Sequence, residues 1–90
     1  MTIDKDLVKR LYCYDPDSGD LIHLARSQKG YIAGAELNGH RVVGINRIYY
    51  PYWKIIAAII CEDFPVSVIY IDDNPLNTSR KNLKFIKPTI

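Results

Sequence analysis

Carboxylate and amide side chains are concentrated in residues 71–84, and they are the first candidates for chemistry. Asp72 and Asp73 could offer oxygen ligands to a hard cation. Adjacent residues on a turn point in different directions, however, and no third ligand is evident, so we predict a solvated turn and no bound metal or cofactor. Asn74 and Asn77 can hydrogen-bond to their own loop and tolerate unusual φ angles, which favours a structural role over a direct functional one.

The chain has two histidines and two cysteines, and they do not form a zinc-finger pattern. His23 and His40 fall in predicted strands, where a hydrogen-bonded or exposed histidine is more common than a ligand. Cys13 and Cys61 form no CxxC pair. We therefore expect reduced thiols that pack as small hydrophobic groups, with a single disulfide as the alternative.

Cationic side chains are unevenly distributed along a chain whose net charge is only +2. The segment after Pro75 contains four of them and no carboxylate. Such a group can contact phosphates, although a run of charge is more often a solvated face. If the partner is a nucleic acid, the predicted contacts are Arg41, Arg47, Lys54, Arg80, Lys81, Lys84 and Lys87.

The densest aromatic group surrounds a single proline, and it consists of Tyr49, Tyr50, Tyr52 and Trp53. Aromatic side chains dominate protein interfaces and also stack on nucleic-acid bases, so the four residues are candidates for partner binding. The alternative is that they form core, because alternation along a strand would bury about half of them.

The elements that position these residues are predicted to form one α+β domain over residues 1–90. Thr2 can cap a short helix with Ile3, Leu7, Val8 and Leu11 on one face, and the helix should end near Tyr12. Turn signals at residues 15–19, 38–39 and 46–47 then separate predicted strands at residues 21–24, 40–45 and 48–50. These strands predict a small antiparallel sheet.

A central helix is predicted over residues 52–61, with Pro51 at its start. It is apolar on almost every side, which implies burial or a partner subunit, as in a homodimer. A strand at residues 66–71, a short helical piece at 78–82 and an extended segment at 83–86 should follow. The apolar run at residues 55–61 is too short to cross a bilayer, so we expect a soluble protein in the cytoplasm of its host cell.

Residues 71–84, IDDNPLNTSRKNLK, resemble the signature of phage-type HNH (His-Asn-His) endonucleases, roughly D-H-I-D-G-N-x-x-N-N-R-x-x-N-L-R. Upstream, residues 14–21, YDPDSGDL, resemble the opening segment of that family, Y-D-P-E-T-G-x-L. The resemblance implies that the C-terminal part is a degenerate HNH unit of ββα type. Its motif positions in this chain are Tyr70, Asp72, Asn74, Asn77 and Asn82.

The positions that would carry catalysis differ from the family pattern. HNH chemistry needs a histidine as general base and metal ligands from neighbouring Asp or His. This chain has Ile69-Tyr70 in place of the Asp-His pair, and Trp53-Lys54 where the family often has His-Arg. A phenol with an ordinary pKa near 10 is a poor base at neutral pH. The resemblance therefore implies a protein that is not an enzyme.

Three functions remain compatible with the sequence. The first is a phage or prophage protein that binds DNA without cutting it, with regulation of transcription as one role compatible with such binding. The second is a small inhibitor that blocks a host defence protein or a nuclease complex through protein contacts. The third is a surviving nuclease whose base has moved to His40 or His23.

Overall fold

Two α-helices and three small antiparallel sheets make up the computed structural model, which describes residues 3–88, apart from the side chain of Arg26. The α+β class is the one predicted from the sequence. In chain order the elements are α1 (Lys5–Leu11), β1 (Tyr12–Tyr14), β2 (Leu21–His23), β3 (Ala35–Leu37), β4 (His40–Ile45), β5 (Ile48–Pro51), α2 (Tyr52–Ile60), β6 (Ser67–Tyr70) and β7 (Leu83–Ile86). Short 3-10 helices occupy Arg26–Gln28 and Arg80–Asn82.

Helix α1 begins later than predicted. Its cap is Asp4, whose carboxylate accepts hydrogen bonds from the backbone N–H groups of Asp6 (3.0 Å) and Leu7 (3.2 Å). Thr2, the predicted cap, lies outside the described residues. A carboxylate satisfies the unpaired amides of a first helical turn as well as a hydroxyl does, and it also interacts favourably with the helix dipole.

The central sheet pairs β3, β4 and β5 through two tight turns. Asn38 and Gly39 have φ angles of 53° and 79°, and Asn46 and Arg47 have φ angles of 52° and 66°. Two consecutive positive φ angles match the right-handed twist of paired strands, which is why Asn-Gly favours such hairpins. Both turns lie where the sequence predicted them.

Helix α2 lies at the centre of the hydrophobic core, as predicted. Residues 55–58 are completely buried, and they pack with Val8, Leu21 and Leu83 from three other parts of the chain. Both ends of the helix reach the surface, where Lys54 is exposed on the first turn and Ile60 is 41% exposed on the last. Within residues 3–88, neither helix combines the length and the apolar character needed to cross a membrane.

The C-terminal unit is an antiparallel hairpin, in which β6 pairs with β7 so that Tyr70 faces Leu83 and Ile69 faces Lys84. The helical piece predicted at residues 78–82 is a single 3-10 turn, Arg80–Asn82, inside the connecting loop. No α-helix follows β7 within residues 3–88. The two strands of the predicted ββα unit are therefore present in the described chain, and its α-helix is not.

Candidate functional site

The loop between β6 and β7 is organised around the carboxylate of Asp72. One carboxylate oxygen accepts hydrogen bonds from the Asn82 side-chain amide (2.9 Å) and the Asn74 backbone N–H (2.8 Å), and the other accepts from the Asn77 side-chain amide (2.9 Å). These bonds lower the pKa of the Asp72 carboxyl, with the Asn77 amide as the largest cause. The carboxylate is therefore a structural acceptor within its own loop.

Asn82 is the buried member of this loop, with only 5% of its surface exposed. Its side-chain carbonyl oxygen accepts a hydrogen bond from the backbone N–H of Asp72 (2.9 Å). Its side-chain amide nitrogen also donates to the backbone carbonyl of Asn77 (2.8 Å). Asn77 in turn accepts a hydrogen bond from the Ser79 hydroxyl (2.8 Å). The predicted structural role of Asn74 and Asn77 agrees with these contacts, and it extends to Asn82.

The two segments that resemble HNH sequences contact each other although about 60 residues separate them in the chain. The Tyr14 hydroxyl donates to the backbone carbonyl of Thr78 (2.6 Å), and the Arg80 backbone N–H donates to the carbonyl of Pro16 (2.8 Å). Thr78 is buried, and its hydroxyl donates to the carbonyl of Gly19 (2.6 Å). Thr78 was not among the predicted site residues, because nothing in the sequence distinguishes a buried Thr from an exposed one in a polar loop.

Arg41 was predicted to contact a nucleic acid, and in the structure its guanidinium is bonded within the protein. Its guanidinium forms an ion pair with Asp20 (3.0 Å) and donates hydrogen bonds to the side chains of Thr78 (2.9 Å) and Tyr52 (3.1 Å). It also stacks 4.0 Å from the centre of the Tyr52 ring. The guanidinium joins the central sheet to both motif segments, and its side chain is only 18% exposed.

Tyr52 was a candidate for partner binding, with core as the alternative, and the structure shows that it belongs to the core. The residue is 1% exposed. Its hydroxyl accepts a hydrogen bond from the backbone N–H of Leu21 (2.7 Å) and donates one to the carbonyl of Ala33 (3.0 Å). Burial raises the pKa of the phenol above its usual value. A buried tyrosine hydroxyl needs such hydrogen-bond partners, and here these hydrogen bonds connect α2 to β2 and to the segment that follows it.

The other three aromatic candidates line two surface depressions that meet at Pro51. The tyrosine depression, about 550 Å³, has Tyr49, Tyr50 and Lys54 in its wall, and Tyr49 is 70% exposed. The Trp53 depression, about 400 Å³, lies between the start of β4, the start of α2 and strand β6. Its wall includes His40, Val42, Pro51, Trp53, Val68 and Tyr70.

Trp53 and Tyr70, which stand where the HNH resemblance would place histidines, both lie in the wall of the Trp53 depression. Burial raises the pKa of the Tyr70 phenol above its usual value, so the phenol stays protonated at neutral pH. His40 lines the same depression, whereas His23 packs against the ring of Tyr12 at 5.3 Å. Within residues 3–88, no three His, Cys, Asp or Glu side chains gather as metal ligands would.

The four C-terminal cations gather around Arg80. Arg80, Lys84 and Lys87 line one depression of about 640 Å³, and Arg80 and Lys81 line a second. All four residues are exposed. The walls also contain carboxylates from elsewhere in the chain, namely Glu62 and Asp63 in the first depression and Asp17 in the second. We call Arg80, Lys81, Lys84 and Lys87 the basic cluster.

The remaining predicted residues lie apart from this cluster in sequence and on other elements. Lys54 is exposed on the first turn of α2, with its ammonium 5.7 Å from the centre of the Trp53 ring. Arg47 is exposed in the turn between β4 and β5. Cys13 and Cys61 are both free thiols, so the alternative of a disulfide between them is wrong.

Comparisons with protein-family models, with curated proteins and with solved structures found no match for the chain.

Proposed function

We propose that this protein binds DNA without cutting it, as a degenerate HNH-like module. The observation that carries the proposal is the basic cluster, in which four exposed cations from one short segment surround two adjoining depressions. Exposed Lys and Arg side chains at this density can neutralise backbone phosphates and release counterions from DNA. The outward placement of Lys84 opposite Ile69, on the exposed face of the β6–β7 hairpin, supports the same reading.

The chemistry of the motif positions favours binding over cleavage. A general base must take a proton from water near neutral pH, and the protonated Tyr70 phenol is unsuited to that step. The Asp72 carboxylate already accepts three hydrogen bonds within its loop. The Asp72 carboxylate therefore stabilises its own loop, a role that is independent of hydrolysis. This supports a protein that is not an enzyme.

Binding of labelled duplex DNA, followed by fluorescence anisotropy, tests this function. Lys81→Ala with Lys84→Ala should weaken binding and reduce the slope of log K against log salt by about 2, because two phosphate contacts are lost. Lys9→Ala with Lys29→Ala is the matched control, since it removes the same charge from two exposed positions elsewhere. If both double variants lose the same affinity for DNA, the effect comes from net charge alone. That result would contradict the assignment of DNA binding to the basic cluster.

A second candidate function is inhibition of a protein partner, and the tyrosine depression favours it. Tyr49 is 70% exposed and Ile48 is 38% exposed, and both line that depression. Exposed aromatic side chains beside an apolar surface are typical anchors of protein interfaces. If this function holds, Tyr49→Ala abolishes capture of a host defence or nuclease protein, while Lys81→Ala with Lys84→Ala leaves capture intact.

A further inference from the structure

The Trp53 depression has no role in the contacts proposed for the basic cluster, yet it has the chemical character of a ligand site. Most of its wall surface is carbon, with Trp53 and Tyr70 as the aromatic members, and its polar lining residues are His40, Arg41 and Ser67. A volume of about 400 Å³ is within the usual range for small-molecule sites. A flat aromatic group that also carries hydrogen-bonding edges is complementary to such walls.

Charge distinguishes this surface from the rest of the molecule. Among the described residues that line the Trp53 and tyrosine depressions, none is Asp or Glu. The depressions beside the basic cluster, in contrast, include Glu62, Asp63 and Asp17. Lys54 lines the tyrosine depression and also places its ammonium over the Trp53 ring, so a cation stands where the two aromatic surfaces adjoin. This combination suits a polyanion that carries planar groups.

We propose that the Trp53 depression holds an unpaired nucleobase, with Trp53 and Tyr70 as its aromatic contacts and Lys54 against the adjoining phosphate. The inference rests on the proposed DNA-binding function and names its ligand as single-stranded or locally unpaired DNA. A base inside a regular duplex is stacked on both faces and cannot enter a depression. Base-to-aromatic stacking tolerates any sequence, so the site favours unpaired strands without reading their order.

Trp53 is the only tryptophan of the chain, which makes its fluorescence a direct reporter of the depression. Titration with a single-stranded oligonucleotide should quench Trp53 emission, whereas a duplex of the same sequence should quench it less. The sharper comparison uses a strand of equal length with abasic sites, because it keeps every phosphate and lacks the bases. Since one stacked base contributes about 1–3 kcal/mol, the abasic strand should bind about 5- to 150-fold more weakly.

Two variants complete the experiment, with circular dichroism to verify that each one folds. Trp53→Ala should remove the difference between intact and abasic strands, and Trp53→Phe, which keeps a ring, should retain most of it. The abasic comparison needs no variant, so the test stands even if Trp53→Ala fails to fold.

The outcomes separate this inference from the proposed function. Salt-dependent binding that leaves Trp53 emission unchanged, with equal affinity for intact and abasic strands, would overturn the base site and leave phosphate binding by the basic cluster intact. Absence of binding to any strand or duplex would overturn both.

Discussion

At the scale of single residues, the motif positions retained from the HNH-like pattern hold the loop between β6 and β7. Asn82 is the clearest case, because it is buried and bonds to the backbone of Asp72 and of Asn77 at once. The sequence could predict that asparagines of this segment bond locally. It could not predict which one is buried, because burial depends on how the loop folds around Asp72 and packs on the rest of the molecule.

Asn82→Ala should destabilise the protein by about 1–3 kcal/mol, because it leaves polar groups of the loop without partners. Asn74→Ala is the matched control, since Asn74 is exposed and its side chain accepts a hydrogen bond from the Leu76 backbone N–H. Urea unfolding of both variants measures the difference. Equal midpoints for Asn82→Ala and Asn74→Ala would contradict the structural role assigned to Asn82.

Acid should weaken the same loop through Asp72, whose pKa is lowered by its hydrogen bonds. A carboxyl with a lower pKa in the folded state stabilises the protein above its unfolded pKa, near 3.9, and this contribution is lost as pH falls through the folded value. The Tm of the native chain should therefore fall more steeply below about pH 4 than the Tm of Asp72→Asn. Parallel curves for the two proteins would show that Asp72 does not contribute.

Arg41 and Tyr52 illustrate contacts that the sequence did not predict. Tyr52 is buried and Arg41 is half-buried, and both belong to one network with Asp20 and Thr78. Hydrophobic patterning indicates which elements contact the core, but it does not show whether a given tyrosine or arginine side chain points to solvent or to a polar partner. The ion pair between Arg41 and Asp20 depends on tertiary contacts between separate segments of the chain.

At the scale of elements, turns and helix ends could be predicted from the sequence where their conformation depends on neighbouring residues. The Asn38-Gly39 and Asn46-Arg47 hairpins and the start of α2 at Tyr52, directly after Pro51, lie where they were predicted. The 3-10 turn Arg80–Asn82 was harder to predict, because it is shaped by the contact of Arg80 with Pro16 across the molecule. Elements that depend on distant partners carry no comparable local signal.

Gly19, between β1 and β2, has the least room for a side chain among the glycines of the described chain. Its φ is +83°, and a Cβ at this position would lie 2.4 Å from the backbone nitrogen of Ser79. Gly19→Ala should therefore cost clearly more than the 1–2 kcal/mol, roughly, that a left-handed conformation alone costs an L residue. Gly39→Ala is the control, because Gly39 has a similar φ of +79° and no atom near that Cβ position. Equal losses of unfolding free energy would contradict the close packing of the two motif segments.

At the scale of the whole molecule, one core buries α2 and brings the two HNH-like segments together on one side. The surface then divides into a basic cluster beside β7 and a pair of aromatic depressions that meet at Pro51. The sequence indicated the basic cluster, because its four residues lie close together in one segment. The grouping of Trp53 with Tyr70 could not be predicted from spacing, since the two residues meet only in the wall of a depression that distant segments form together.

The most direct measurement of the central claim is the affinity for labelled duplex DNA from about 50 mM to about 200 mM salt, with magnesium present and the DNA recovered afterwards. We expect binding that weakens steeply with salt, together with DNA that is recovered intact. Absent or salt-independent binding would contradict the DNA-binding function, and magnesium-dependent cleavage that disappears with His40→Ala would contradict the absence of nuclease activity.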